Sequence, residues 1–221
     1  MIWLASWPRS GNTLARLIIQ HCWDRDCPSI YNEPMLDGLL PNRRAYVNPP
    51  VPGITMRFHL PGAVVKTHRW PIEGDDRPAI YVVRDGRDAC CSMAAMYNRP
   101  VRYVIDGLPS WQRWAEHVAR WAPWPGGRPN TLLVRYEDLL ERPGWAIGEM
   151  AKTLGPPVRT DWRNDFDRFR RLVPKIFRKG RIGTWRHEMS AEDEARFWEI
   201  HGWAMERLGY ARTATTAPQN L

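Results

Sequence analysis

The segment SWPRSGNT, residues 6–13, constrains the fold of this chain more than any other stretch of its sequence. The apolar run before it predicts a strand, Pro8 and Gly11 predict a tight turn, and the amphipathic run after it predicts a helix. The N–H groups of such a turn and helix start converge on one point and attract an anion, and Arg9 lies close enough to clamp two of its oxygens. An ordinary tight turn with Arg9 in solvent remains the alternative.

The same segment departs from the nucleotide-binding loop pattern G-x-x-x-x-G-K-[ST] at two positions. It keeps Gly11 and Thr13, but Ser6 stands in place of the first glycine and Asn12 in place of the lysine. In loops of that type the lysine contacts the terminal phosphates of the nucleotide. We therefore expect an anion site that does not serve ATP.

Short apolar runs alternate with helical patterns along the chain, which predicts an α/β fold with three layers, α/β/α, around a central, mostly parallel sheet. The predicted strands are residues 2–6, 63–67, 79–84 and 131–136, and the predicted helices are residues 13–23, 88–97, 109–121, 145–154 and 191–208. Residues 1–210 are expected to form a single domain. Residues 24–61 and 164–181 are expected to be loops or lids, and the tail 211–221 to be disordered.

Composition fits a globular domain with an anionic ligand. The 221 residues are 43% hydrophobic and 25% charged, with a formal net charge of +8. That charge equally suits nucleic acid or an acidic membrane surface. The four cysteines contain no C-x-x-C pair, so we expect buried thiols in a reducing compartment and no zinc site. With no secretion signal and no long apolar run, a cytoplasmic protein without a membrane span is expected.

The predicted strand ends carry groups suited to catalysis and anion binding. Lys66 and His68 alternate with Thr67 and would project from one face, bringing a cation and a titratable imidazole together. Arg84 ends the next strand, and Ser92 follows in a helix that Asp88 is expected to cap. For both pairs a purely structural role is the alternative, with the histidine bonded to backbone and the arginine paired to the aspartate.

The segment IFRKGRIGTWRHEM is predicted to be a basic loop. Arg178, Lys179, Arg181 and Arg186 lie within nine residues, and two glycines interrupt any helix. Backbone amides freed by glycines beside several cations form a good phosphate site. A solvated loop or a nucleic-acid patch is the alternative.

Five segments in this order resemble the family of sulfotransferases that use 3′-phosphoadenosine 5′-phosphosulfate (PAPS). SWPRSGNT is similar to the family's 5′-phosphosulfate loop, VVRDGRDACCS to its 3′-phosphate segment, and FRKGRIGTW to its Arg-Lys-Gly-x-x-Gly-Asp-Trp loop. VRYEDL is similar to its Arg-Tyr-Glu-Asp-Leu segment, and KTH to the strand end that carries its general base. The resemblance spans residues 2 to about 187. It implies a fold of the P-loop nucleotide-kinase-like type and transfer of a sulfuryl group from PAPS to the hydroxyl of an alcohol or phenol, leaving 3′,5′-ADP (PAP).

The resemblance also implies roles for individual residues. Arg9, Ser10, Gly11, Asn12 and Thr13 would hold the 5′-phosphosulfate; Arg84, Ser92, Arg178, Lys179 and Gly180 would hold the 3′-phosphate; and Tyr136 would lie by the adenine. His68 would take the proton of the acceptor hydroxyl, with Lys66 and Arg9 beside the transferring group. The implied reaction is in-line transfer stabilised by cations, without a metal ion. The implied partner is a small-molecule acceptor and not a nucleic acid.

Several positions depart from the family pattern. Leu14 replaces a tryptophan that usually packs on the adenine, so stacking on the adenine must be weaker or must come from another ring such as Trp185. Thr184 replaces an aspartate, and the dimerisation motif of many members is absent, which leaves the oligomeric state open. Glu33 is a second candidate base, and Trp70 a candidate wall for the acceptor. The alternative functions are a P-loop-type kinase of nucleotides or small molecules and a basic nucleic-acid-binding module.

Overall fold

The computed structural model describes residues 1–31, 33–36, 39–40, 62–107 and 112–212, and in that part of the chain four parallel strands form one sheet. The strands are β1 (Ile2–Ser6), β2 (Val64–Thr67), β3 (Ala79–Val83) and β4 (Thr131–Arg135), in the order β2-β1-β3-β4. The predicted strands are confirmed with ends moved by one residue. The largest consequence is that Tyr136 begins a helix instead of ending a strand.

Helices cover both faces of the sheet. They are α1 (Asn12–Trp23), α2 (Gly86–Tyr97), α3 (Val101–Ile105), α4 (Trp114–Trp121), α5 (Tyr136–Glu141), α6 (Pro143–Leu154), α7 (Phe166–Leu172) and α8 (Ala191–Arg207). The predicted helix 109–121 begins only at Trp114, and residues 109–111 lie outside the described part. None of the helices described here is long and apolar enough to cross a membrane.

The side chains of each strand alternate between two cores, as a two-residue period requires. Trp3 and Tyr81 point into the core formed with α2, α3, α4 and α8. Leu4 and Ile80 point into the core formed with α1 and α6. A central parallel sheet between two helical layers confirms the predicted three-layer fold.

The segment 164–181 is not the uninterrupted loop that the sequence predicted, because it contains α7. The side chain of Asp165 caps this helix by accepting from the N–H of Arg168 at 3.3 Å. Phe169, Val173 and Phe177 are buried in a third cluster that rests on α1. Their four-residue spacing is helical, and the many charged residues between them obscured it. The other predicted lid, 24–61, and the predicted disordered tail, 211–221, fall mostly outside the described residues.

Parallel strands end at one edge of a sheet, and α1 and α2 begin there immediately after β1 and β3. The end of β2 lies beside the end of β1, since Leu4 is in register with Lys66 and Ala5 with Thr67. This topology places the loop 6–13, the β2 end and the start of α2 around a common point. The candidate site is found there.

Candidate active site

The loop between β1 and α1 is a backbone cradle that requires glycine. Gly11 precedes α1 with φ +98°, and a Cβ atom there would lie 2.4 Å from the Tyr136 ring. The first N–H groups of α1 have no intrahelical acceptor, and no side chain of the described residues caps them, so they favour a bound anion. Ser10 is buried, and its hydroxyl oxygen has no hydrogen-bond partner among the described residues.

Arg9 connects this loop to two other segments. Its Nε donates to Ser92 Oγ at 3.1 Å, and its Nη2 donates to the carbonyl oxygen of Ile176 at 2.8 Å. Burial and the charges of Arg84 and Arg178 lower the pKa of Arg9 to about 10. The guanidinium therefore stays charged at neutral pH while it faces the same space as the two other arginines.

The side-chain nitrogen of Asn12 is hydrogen-bonded within the protein. Its amide nitrogen donates to the carbonyl oxygen of Leu4 at 3.1 Å and to Ser6 Oγ at 3.2 Å. The side chain thus ties the start of α1 to the end of β1. At the position where a nucleotide-binding loop has a lysine that contacts phosphate, this chain has an asparagine that stabilises its own backbone.

The residues predicted for the site line one cavity of about 300 Å³, with Ser10 as the exception. Its lining includes Arg9, Gly11, Asn12, Thr13, Lys66, His68, Arg84, Ser92, Tyr136, Arg178, Lys179 and Gly180. Segments up to about 170 residues apart in the sequence therefore meet at the predicted edge of the sheet. The individual roles of these residues remain predictions.

Lys66 belongs to a buried ionic cluster. Its Nζ contacts Glu33 Oε1 closely, and Arg16 Nη1 donates to Glu33 Oε2 at 2.9 Å. Burial lowers the pKa of Lys66 to about 8, and the Glu33 carboxylate limits that fall. Burial acts to raise the pKa of Glu33, but the charges of Lys66 and Arg16 outweigh it and hold that pKa below its usual range.

His68 is held in one tautomer. Its Nδ1 lies 2.7 Å from the carbonyl oxygen of Ser6, which can only accept, so Nδ1 carries the proton and Nε2 the basic lone pair. Burial lowers the pKa of His68 well below 6.5, and the charge of Lys66 lowers it further. The backbone N–H of His68 donates to the Tyr31 hydroxyl at 3.0 Å. A neutral imidazole at physiological pH is thus fixed in position.

A second buried histidine supports the backbone of the first. His117 Nε2 donates to the carbonyl oxygen of His68 at 3.1 Å, and the Tyr81 hydroxyl donates to His117 Nδ1 at 2.9 Å. Burial lowers the pKa of His117 to about 4, so that ring is neutral as well. No sequence pattern indicates the contact between His117 and Tyr81, because His117 lies inside an apolar helix face and Tyr81 in the middle of a strand.

Arg84 and Asp88 hold the basic loop in place. The sequence predicted that Asp88 caps α2, and that prediction is wrong. Asp85 caps that helix, and Asp88 is fully buried one turn later. Asp88 accepts from the N–H groups of Gly183 at 2.7 Å and Trp185 at 2.9 Å, and Arg84 Nη2 lies 3.4 Å from it. Because the Asp88 carboxylate accepts hydrogen bonds from the distant basic loop, it is not available to cap α2.

The cations of the basic loop have a carboxylate partner. Arg178 Nη1 donates to Glu188 Oε2 at 2.7 Å, and Lys179 Nζ donates to Glu188 Oε1 at 2.7 Å. The Nε atoms of Arg178 and Arg84 are buried without a hydrogen-bond partner among the described residues. Unused donors beside several cations fit a ligand that carries more than one anionic group.

The apolar side of the cavity differs from the expectation for Trp185. That ring is buried under the Arg87 guanidinium, 3.9 Å away, and is not among the described lining residues. Leu14, Tyr136 and Phe166 line the cavity instead. The sequence prediction does not include Phe166, because it treats residues 164–181 as a loop or lid. The Phe-x-x-Phe spacing of residues 166–169, within a basic run, is the pattern that indicates a helix there.

Trp70 also lies apart from its predicted place. It is partly exposed and stacks on His117, with ring centroids 6.0 Å apart, and it is not among the described residues that line the cavity. Tyr31, Met35, Met93, Met96 and Tyr97 form the apolar lining near His68 and Ser92. The sequence carried no pattern that singled them out.

Comparisons with known proteins are consistent with this geometry. The family model described as the sulfotransferase domain matches residues 1–209. Sulfotransferase 1C2 of Rattus norvegicus is 23% identical over 244 aligned residues, which cover 90% of this chain and 80% of that protein. Sulfotransferase 1C2 of Oryctolagus cuniculus is 23% identical over 188 residues, covering 68% of this chain and 61% of that protein.

Two crystal structures share the fold. Mouse sulfotransferase SULT7A1, complexed with PAP, superposes with a TM-score of 0.63 at 18% identity, covering 92% of this chain and 83% of that chain. Retinol dehydratase, in complex with androsterone and the inactive cofactor PAP, superposes with a TM-score of 0.60 at 20% identity, covering 100% and 83%.

Proposed function

The chain belongs to the sulfotransferase family, and on that premise we propose that it moves a sulfuryl group from PAPS to the hydroxyl of a small apolar molecule, with His68 as general base. Membership of the family favours sulfuryl transfer over the kinase alternative. The observation that carries the proposal is the convergence of an uncapped helix start and five cationic side chains on one cavity. Those cations are Arg9, Lys66, Arg84, Arg178 and Lys179.

The nucleotide is proposed to bind along the cavity from the loop 6–13 to the basic loop. Gly11, Thr13 and the first amides of α1, which line the cavity, would hold the 5′-phosphosulfate, and Arg178 and Lys179 the 3′-phosphate. PAPS supplies the activated sulfuryl group. Support comes from the unused buried Nε of Arg178 and from the PAP bound in the two solved structures above.

His68 is the better of the two candidate bases. Its Nδ1 proton is committed to the carbonyl oxygen of Ser6, so Nε2 is the atom that would take the proton of the acceptor. The carboxylate of Glu33 is engaged by both Lys66 and Arg16, and their charges weaken it as a base. Glu33 is proposed instead to hold Lys66 at the site.

Arg9 and Lys66 are proposed to stabilise the transferring group. Sulfuryl transfer, like phosphoryl transfer, spreads charge over the equatorial and leaving oxygens, and fixed cations in a dry site favour that distribution. Lys66 is buried, Arg9 is half-buried, and both line the cavity. Arg9 is also held by Ser92 and Ile176, so its position is set before the ligand arrives.

The acceptor is proposed to be an apolar or aromatic alcohol or phenol and not a nucleic acid. Tyr31, Tyr97 and three methionines line the cavity, with Tyr31 next to His68, and methionine adapts to ligands of irregular shape.

We also propose a cytoplasmic protein. All four cysteines are free and buried, and burial raises the pKa of Cys22 to about 11 and that of Cys27 to about 12, as structural thiols require.

Calorimetry with PAP, 5′-AMP and ATP tests the nucleotide assignment. PAP and 5′-AMP differ only in the 3′-phosphate, and two charge-assisted contacts to that group give PAP a Kd lower by at least about tenfold. ATP, which lacks a 3′-phosphate, is expected to bind no better than 5′-AMP. Equal Kd values for all three nucleotides would overturn the assignment.

The pH profile of kcat/KM for PAPS tests the two buried titrating groups. His68 must be neutral, and its lowered pKa places the acid limb well below pH 6.5. Lys66 must be protonated, so activity is expected to fall as the pH rises through about 8. Lys66→Arg keeps its charge at higher pH and is expected to lose the alkaline limb. An acid limb at or above pH 6.5 contradicts His68 as the base.

A further inference from the structure

Glu188 places a carboxylate where the basic loop is predicted to receive a phosphate. It accepts from both Nη atoms of Arg178, at 2.7 and 3.2 Å, and from Lys179 Nζ at 2.7 Å. Arg178 and Lys179 line the cavity, whereas Glu188 is not among its described lining residues. The carboxylate therefore approaches the two cations from outside the nucleotide site.

We propose that Glu188 is an internal competitor of the 3′-phosphate: its carboxylate holds Arg178 and Lys179 in the absence of nucleotide and is displaced when the 3′-phosphate binds. The inference rests on the proposed function above. It makes Glu188 a residue that sets the affinity for nucleotides with a 3′-phosphate and, with it, the retention of PAP after transfer. We name this contact the Glu188 latch.

The charges at the loop favour exchange over simultaneous binding. Arg178 and Lys179 carry two positive charges, which one carboxylate only half neutralises. A phosphate dianion neutralises both, and a carboxylate left within a few ångströms of it would be repelled. The dianion also offers a third oxygen to Arg178 Nε, the donor that has no partner among the described residues while Glu188 is bound.

The backbone lets the Glu188 side chain move alone. The N–H of Glu188 donates to the carbonyl oxygen of Trp185 at 3.0 Å, at the end of the 3₁₀ turn Thr184–His187. That turn is anchored by Asp88, which binds the N–H of Trp185. The Glu188 side chain is 16% exposed, and that of Lys179 is 41% exposed, so both have a path to solvent. Release of the latch thus needs rotamer changes and no movement of the fold.

Burial acts to raise the pKa of Glu188, but the hydrogen bonds and charges of Arg178 and Lys179 outweigh it and keep that pKa below its usual range. The latch is therefore charged at neutral pH. Its strength is that of a partly exposed ion pair, which is modest. An interaction of that strength does not greatly slow nucleotide binding, but it reduces the free energy that the 3′-phosphate contributes to binding.

Calorimetry on Glu188→Gln with PAP and with 5′-AMP tests the latch. Glutamine keeps the shape of the side chain and removes its charge, so Kd for PAP is expected to fall by about threefold to tenfold. Kd for 5′-AMP, which lacks the group that competes, is expected to stay within about twofold. Glu188→Asp, which keeps the charge but shortens the reach to the cations, is expected to lie between the two proteins.

Glu192→Gln is the matched control, because it makes the same change of charge four residues away on a side chain that is 86% exposed. It is expected to leave both Kd values unchanged. An unchanged or higher Kd for PAP in Glu188→Gln would overturn the latch and leave the nucleotide assignment intact. Equal affinities for PAP and 5′-AMP in the wild type and in Glu188→Gln would overturn both.

Discussion

His68→Asn is expected to lower kcat by about 10²- to 10⁴-fold, the usual contribution of a general base, while Kd for PAP stays within about twofold. The asparagine amide can still donate to the carbonyl oxygen of Ser6, as Nδ1 does now, but it offers no basic nitrogen in place of Nε2. The loss is therefore one of proton transfer and not of structure. Initial rates of sulfuryl transfer, measured beside calorimetry with PAP, separate the two.

Glu33→Gln distinguishes the second candidate base from a supporting group. If Glu33 only holds Lys66, the variant keeps His68 and loses much less activity, while the alkaline limb of the pH profile moves to lower pH because Lys66 loses its carboxylate. Wild-type turnover in His68→Asn together with an inactive Glu33→Gln would transfer the role of base to Glu33.

The parts of the site that the sequence predicted are those built from local pattern. The loop around Gly11 and the strand end at Lys66 and His68 can each be recognised from a segment of about ten residues. The sheet topology then brings them together, because parallel strands end at one edge. That the strands are parallel was predicted from the alternation of strands and helices, whereas the strand order β2-β1-β3-β4, which sets the neighbours around the cavity, was not predicted.

What the sequence missed depends on pairing between distant residues. The position of Asp88 in the sequence is typical of a residue that caps a helix. Only the structure shows that its carboxylate accepts hydrogen bonds from N–H groups 95 to 97 residues away. Glu188 is one acid beside a basic loop until its side chain is seen between Arg178 and Lys179. Helix α7 was hidden for another reason, since its apolar residues are outnumbered by charges. Such partnerships leave no periodic trace in a single sequence.

Asp88→Asn is expected to destabilise the protein by about 3–5 kcal/mol, or to lower Tm by about 10 °C. One oxygen of the carboxylate becomes an amide NH₂, so a donor then faces the N–H of Gly183 or of Trp185 in a fully buried place. Arg84 also loses its charged partner at 3.4 Å. Thermal unfolding of the variant and the wild type measures this effect.

The same change is expected to raise Kd for PAP by about tenfold and to leave Kd for 5′-AMP nearly unchanged, because Asp88 holds the loop that carries Arg178 and Lys179. Asp138→Asn is the matched control: Asp138 pairs with Arg142, which follows α5 and whose side chain is 59% exposed, and loss of this ion pair is expected to cost only about 1 kcal/mol. If Asp88→Asn lowered Tm but weakened both nucleotides equally, Asp88 would support the fold without positioning the loop. Wild-type Tm in Asp88→Asn would contradict the buried network itself.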